Sequence, residues 1–241
     1  MKKLLLIPAA LLLLLSCEPK LKTGVYQDEL LLPLAEESAD SLHMSIYLEY
    51  VTRGKPEVVK AINDVIIDQA FDLEDHHGSL EECAVSYREN LIDLYLNEND
   101  GKEGVCTWED HIEGAFEGTW KEYRVYVLKY ATFRGGAHGI GTMIPLVFSS
   151  KTGALLSEEE LFQEGYKEPV ATLLRKNLAE EFSAEPEWLE MIQMEQVVPN
   201  GNFYPSSTGI SWHYQPYEVG PYALGMVSAS AAWEELKPYL K

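Results

Sequence analysis

Leu42, Met44, Ile46 and Leu48 alternate with His43, Ser45, Tyr47 and Glu49. Successive side chains of a strand point to opposite faces, so this period of two predicts a strand with one face buried. The period then lengthens. Pro56 suits a first helical turn, and Val58, Ile62, Val65, Ile66 and Phe71 fall on one helical face. Ser79 and Glu82 have capping-box spacing ahead of Leu80, Cys83, Ala84, Tyr87, Leu91, Leu94 and Tyr95, which predicts a second helix over about residues 79–96. After a polar stretch at 97–104 the pattern turns β-like through 105–133, with a turn at Gly118. Residues 123–133 are rich in Tyr and Val on both faces, as a central strand would be.

A loop, Gly135-Gly136-Ala137-His138-Gly139, leads into a predicted strand over 143–148 and a turn at Thr152-Gly153. Ser157 and Glu160 repeat the capping-box spacing before Leu161-Phe162. Val170, Leu173, Leu174, Leu178 and Phe182 mark an amphipathic helix over 168–182. A loop at 199–207 precedes a strand carrying Ile210, Trp212 and Tyr214, and the chain closes with a short strand and a helix around Trp233–Leu240. Strands and helices are interspersed without a regular βαβ repeat, so the expected class is α+β.

The first residues have a different character. Lys2 and Lys3 precede an apolar run, Leu4 to Leu15, that ends in Ser16-Cys17. A run of about a dozen residues is short of the ~20 needed to span a bilayer, so it reads as the core of a signal peptide. A small residue followed by cysteine resembles a lipobox, which implies cleavage after residue 16 and acylation of Cys17. Two or three acyl chains hold a membrane stably. The expected location is therefore the cell envelope, lipid-anchored and outside the cytoplasm. Residues 17–41, with Pro19, Pro33 and several acids, read as a spacer.

Charge narrows the partners. The formal net charge is −20, and loss of the two leader lysines takes it to −22. Nucleic acid is excluded as a partner, because each phosphate contact needs Lys or Arg. Cationic partners fit the charge, as does plain solubility. Two cysteines remain beyond Cys17. Cys83 and Cys106 would close a loop of roughly twenty residues in an oxidising compartment, a bridge that would stabilise by ~3 kcal/mol. Against this, Cys83 sits on an apolar helical stripe and would also suit a buried thiol.

His138, among three glycines, is the foremost candidate for chemistry. Glu218 would complete an acid–base or metal-binding pair, or each residue would serve only to fix its own turn. No third ligand stands at diagnostic spacing, so no metal or cofactor is expected. His76 and His77 are adjacent on a loop, where side chains diverge. His111 and His213 lie on strands beside aromatic residues. Trp212, Tyr214, Tyr217 and Tyr222 form an aromatic cluster suited either to stacking on sugars or to a core. No nucleophile elbow, phosphate-binding loop or HExxH motif is present, and the chain is not expected to be an enzyme.

Four segments together carry a resemblance. They are Gly135-Gly136-Ala137-His138-Gly139, Thr152-Gly153 with Leu156 and Leu161-Phe162, Gly209-Ile210, and Tyr217-Glu218-Val219-Gly220-Pro221-Tyr222-Ala223. The set resembles the extracytoplasmic domain of unknown function in RsiV, the lysozyme-sensing anti-sigma factor of bacilli, and the non-catalytic domain that precedes the deacetylase of PdaC proteins. Ile62-Asn63 and Ile66-Ile67 look like the companion subdomain that comes before it. The resemblance implies one α+β extracytoplasmic module of two small subdomains, PdaC-like over 42–133 and RsiV-like over 134–241. It also implies a binding or sensing role toward a basic protein such as lysozyme, or toward a peptidoglycan fragment. Its ligand-binding candidates are Gly135, Gly136, His138, Gly139, Tyr217, Glu218 and Tyr222. A hydrolase-like envelope enzyme using His138 and Glu218 is the alternative. Without a cytoplasmic segment or a deacetylase domain, neither anti-sigma signalling nor deacetylation is expected.

Overall fold

Strand β2 (Ser41–Arg53) carries the alternation of two, and its residues Leu42, Met44, Ile46 and Leu48 are all buried. Helices α1 (Pro56–Phe71) and α2 (Leu80–Asn99) follow. They lead to β3 (Trp108–Trp120), which pairs with β2 in parallel. A parallel pair requires a long crossover, and the two helices supply it. Strands β4 (Tyr123–Phe133) and β5 (Ile140–Ser149) then add antiparallel neighbours. The computed structural model describes residues 20–36, 38–74, 77–101 and 106–241. The proposed leader, the acylation site Cys17 and His76 lie outside the described residues.

The first sheet has the order β1-β2-β3-β4-β5, in which β1 (Lys22–Pro33) is an edge strand pairing antiparallel with β2. This corrects the reading of 17–41 as a spacer. The signal was blurred because the outward positions Val25 and Leu31 are apolar yet 47% and 65% exposed, which erases the binary alternation. The helices cover one face of the sheet, and Ile62, Ile66, Leu91 and Tyr95 join the inward strand residues in one core. Asn63 ties α1 to β2, its side chain accepting from Val51 N and donating to Val51 O, both at 2.8 Å.

The rest of the chain builds a smaller layer. Short helix α3 (Glu158–Leu161), α4 (Lys167–Glu181) and α5 (Pro186–Met191) precede a three-stranded antiparallel sheet. Its strands are β6 (Phe203–Pro205), β7 (Gly209–Tyr214) and β8 (Val227–Ala232), followed by α6 (Trp233–Leu236). Phe162, Leu174, Leu178, Trp212, Tyr214 and Ala229 lie in its core. The protein is thus α+β, with two sheets and two cores.

The boundary expected at 133/134 falls inside the first sheet, because β5 pairs with β4 from Ile140 to Ser149. A glycine-rich loop reads like a linker, yet here it only joins two neighbouring strands. Strand β5 also holds the layers together. Leu146 and Phe148 belong to the first core and Val147, on the opposite face, to the second. The β3–β4 hairpin adds a second joint, with Trp120 stacked on Trp233 at 4.8 Å and 8°.

The proposed Cys83–Cys106 bridge is not formed, and both cysteines are buried. Cys83 takes the other option. It packs in the first core beside Leu80 and Ala84, with its Sγ 3.9 Å from the His77 carbonyl. Burial raises the Cys83 thiol pKa, with Glu82 and Asp68 adding to the rise.

Candidate functional site

The root of the glycine loop is held rigidly. Arg134, the residue after β4, donates from Nη2 to Asp110 Oδ2 at 2.5 Å, and its guanidinium lies over the Trp108 ring at 4.7 Å. Asp110 is buried and also accepts from the Tyr87 hydroxyl at 2.7 Å. The chain then turns through Gly135 and Gly136, at φ 79° and 97°. Space does not demand glycine at 136, where an added Cβ would meet nothing within 4 Å; the backbone conformation does. At Gly139 space decides, since a Cβ there would lie 2.7 Å from the Thr132 carbonyl oxygen.

The second loop leaves the end of β7. Glu218 closes a tight turn: its Oε2 accepts from Gln215 N at 2.8 Å, and its own N–H donates to the Gln215 carbonyl at 3.0 Å. The turn forces Tyr217 to φ 72°, unusual for an aromatic residue, and leaves it 58% exposed.

The two loops meet. The Tyr222 hydroxyl donates to the Gly139 carbonyl at 2.7 Å, and the His138 and Tyr222 rings stack at 3.7 Å and 16°. Tyr217 lies 5.7 Å from the Tyr222 ring, and its hydroxyl is 3.4 Å from His138 Nε2. His138 Nδ1 is 3.1 Å from the Gly139 carbonyl. A carbonyl only accepts, so Nδ1–H is the donor of that contact, and Nε2 is the nitrogen that faces the Tyr217 hydroxyl. His138, Gly139, Tyr217 and Tyr222 therefore form one exposed platform whose apex is Tyr217.

Glu218 does not join it. Besides Gln215, its partner is Asn200, whose Nδ2 donates to Oε1 at 2.7 Å. The His138–Glu218 pair is not formed, and among the described residues no group of three His, Cys, Asp or Glu side chains is placed to hold a metal. Glu218 instead lines a cleft of about 450 Å³ between β5 and the second layer, together with Asn200, Asn202 and Gln215. Gln215 clamps the outer edge of β5: Oε1 accepts from Met143 N at 3.0 Å and Nε2 donates to Met143 O at 2.5 Å. Asn202 Nδ2 donates to the same carbonyl at 3.0 Å. Sequence reasoning passed over these amides. Their one local signal is Asn200-Gly201-Asn202 within a segment read only as a loop.

Two further histidines, His111 and His213, bridge neighbouring strands. His111 Nδ1 lies 2.8 Å from Ser45 Oγ across β2 and β3, and His213 Nδ1 lies 2.8 Å from Ser228 Oγ across β7 and β8. Burial lowers the His213 pKa from its ordinary value.

Fold and site define a two-sheet α+β module that exposes a small aromatic–imidazole platform. Residues 159–233 match the family described as "Protein of unknown function (DUF3298)". The fold is that of solved DUF3298-family structures. One, from Bacteroides fragilis NCTC 9343, superposes with a TM-score of 0.83 at 20% identity, covering 92% of this chain and 94% of that one. Another, from Pseudomonas aeruginosa PAO1, gives 0.65 at 14% identity over the same shares. No curated protein matches the sequence.

Proposed function

We propose that this chain is a lipid-anchored cell-envelope binding or sensing module, RsiV-like and PdaC-like in kind, whose partner is a basic protein of the lysozyme type. The observation that carries the reading is the exposed Tyr217, held at positive φ on a platform braced by His138 and Tyr222. Positive-φ backbone in a bulky residue costs on the order of 1–3 kcal/mol and concentrates at sites that use it. Tyrosine is also a favoured interface anchor. The net charge of −20 supplies long-range attraction for a basic partner. A cell-wall fragment stacking on the same rings is the second ligand. The hydrolase alternative has less support, because His138 and Glu218 engage different partners.

Calorimetry with lysozyme, at low salt and again near 0.5 M, tests this. A specific complex survives the higher salt, where exposed charges are screened beyond roughly 4–5 Å. Tyr217→Ala should weaken it by about 2 kcal/mol, roughly 30-fold. Binding that disappears at high salt, or ignores Tyr217→Ala, would refute the platform reading. No binding at either salt would remove the basic-protein partner and leave the wall fragment.

A further inference from the structure

The cleft that Glu218 lines has a one-sided chemistry. Asn200 Nδ2 donates to His213 O and Glu218 Oε1, and Asn202 Nδ2 donates to Met143 O and His213 O. Gln215 Nε2 donates to Met143 O. Two hydrogens at Asn200, two at Asn202 and one at Gln215 are thus committed within the protein, five of the six amide hydrogens. Oxygen is what this rim has left to present. The two Glu218 oxygens offer about four lone-pair directions, of which Asn200 and Gln215 use two. Glu218 is exposed, and among the described residues no Lys, Arg or His forms an ion pair with it. The remaining lining is largely aliphatic, including Pro145, Leu155 and Leu156, with Leu155 40% exposed.

An uncompensated carboxylate beside an aliphatic wall is matched by a cation at the end of an apolar stem. We propose that the cleft binds a lysyl side chain presented by a basic protein, with its ammonium on Glu218 and its methylenes along Pro145, Leu155 and Leu156. An anionic ligand would face the Glu218 carboxylate with a single uncommitted amide hydrogen, on Gln215, to meet it. An amino sugar would satisfy the carboxylate but place hydroxyls against the aliphatic wall. The cleft is built from β5 of one layer and the 200–218 region of the other, so a ligand here would engage both. The proposal rests on the preceding section only for the basic-protein class of partner.

Amide chemical-shift mapping on the full chain tests it with three probes: N-acetyl-lysine amide, its neutral counterpart N-acetyl-norleucine amide, and glucosamine. The lysine probe should shift residues 143–147, 200–203 and 215–218, and bind about tenfold tighter than norleucine. Glu218→Gln, which keeps the turn-closing oxygen, should abolish that preference. Equal binding of norleucine, shifts mapping elsewhere, or no shifts up to ~100 mM lysine probe would overturn the proposal; tighter binding of glucosamine would assign the cleft to amino sugars instead. The platform reading fails separately. Lysozyme affinity that depends on Tyr217 but not on Glu218 sinks only the cleft. Lysine binding in a chain that ignores lysozyme sinks only the partner.

Discussion

Among the described residues two carboxylates are buried, Asp110 beside the first core and Glu158 beside the second, and the two are compensated differently. In the first, Asp110 meets a charge: Arg134 at 2.5 Å, with the Tyr87 hydroxyl at 2.7 Å. In the second, Glu158 is held by uncharged donors alone. Trp212 Nε1 at 2.6 Å and Gly201 N at 3.0 Å donate to one oxygen, and the Tyr166 hydroxyl donates to the other at 2.7 Å. Both phenols stay protonated at any physiological pH, because burial first and the neighbouring carboxylate second raise their pKa values. Asp110 serves as an anchor for the root of the glycine loop, in a unit whose stability comes from apolar strands under two long helices. Glu158 is a knot. It ties α3, Tyr166 at the start of α4, β7 and the 200–202 loop to one another. The second layer adds a hydrogen-bonded polar centre to its apolar core.

The largest expected effect tests that contrast. Glu158→Leu strands two buried donors, Trp212 Nε1 and the Tyr166 hydroxyl, and should cost roughly 3–5 kcal/mol in denaturant unfolding. Asp110→Asn keeps an acceptor for Tyr87, and Arg134 is 37% exposed and regains water, so about 1–3 kcal/mol is expected. A larger loss at Asp110 than at Glu158 would break the comparison.

The two capping boxes sharpen it. Ser79 with Glu82 starts α2, and Ser157 with Glu160 starts α3. Ser79→Ala should cost about 1 kcal/mol, a normal cap value, and Ser157→Ala up to about 2, because that box also positions Glu158. Equal losses would mean that the cap and the knot are independent.

The smallest effect is acid sensitivity confined to the second layer. Burial depresses the His213 pKa below its ordinary 6.5. As pH falls through that value the unfolded chain takes up a proton and the folded chain does not. Stability is therefore intact above about 6.5 and declines below it until His213 titrates in the fold. The unfolding midpoint should drop from pH 7.5 to pH 5.5 by more in the native sequence than in His213→Asn. Identical drops would show that burial of His213 contributes nothing to acid sensitivity.

Several elements were legible because their burial is periodic. The β2 alternation, the α1 and α2 stripes and both Ser-x-x-Glu boxes are found where local spacing placed them. Strand β6 was hidden, since three residues within a loop-like segment carry no measurable period. The candidate residues divided in a way that spacing did not reveal. His138, Gly139, Tyr217 and Tyr222 converge, whereas Glu218, next to Tyr217 in the chain, faces away into the cleft.

Sequence alone determined the α+β class, the two covering helices and the capping box of the second, because these depend on residues within a turn or two of each other, and the acidic charge, which is a matter of composition. The two strand ends were expected to bring the 135–139 and 217–223 loops together, and they do. Tertiary structure alone decided three other things: that 22–33 is an edge strand, that β5 belongs to the first sheet, and which side chains of the two loops touch. The loop contacts join residues 79 and 83 positions apart. Such contacts are set by which strand ends the sheets bring together, and periodicity records only whether each residue is buried, not against what.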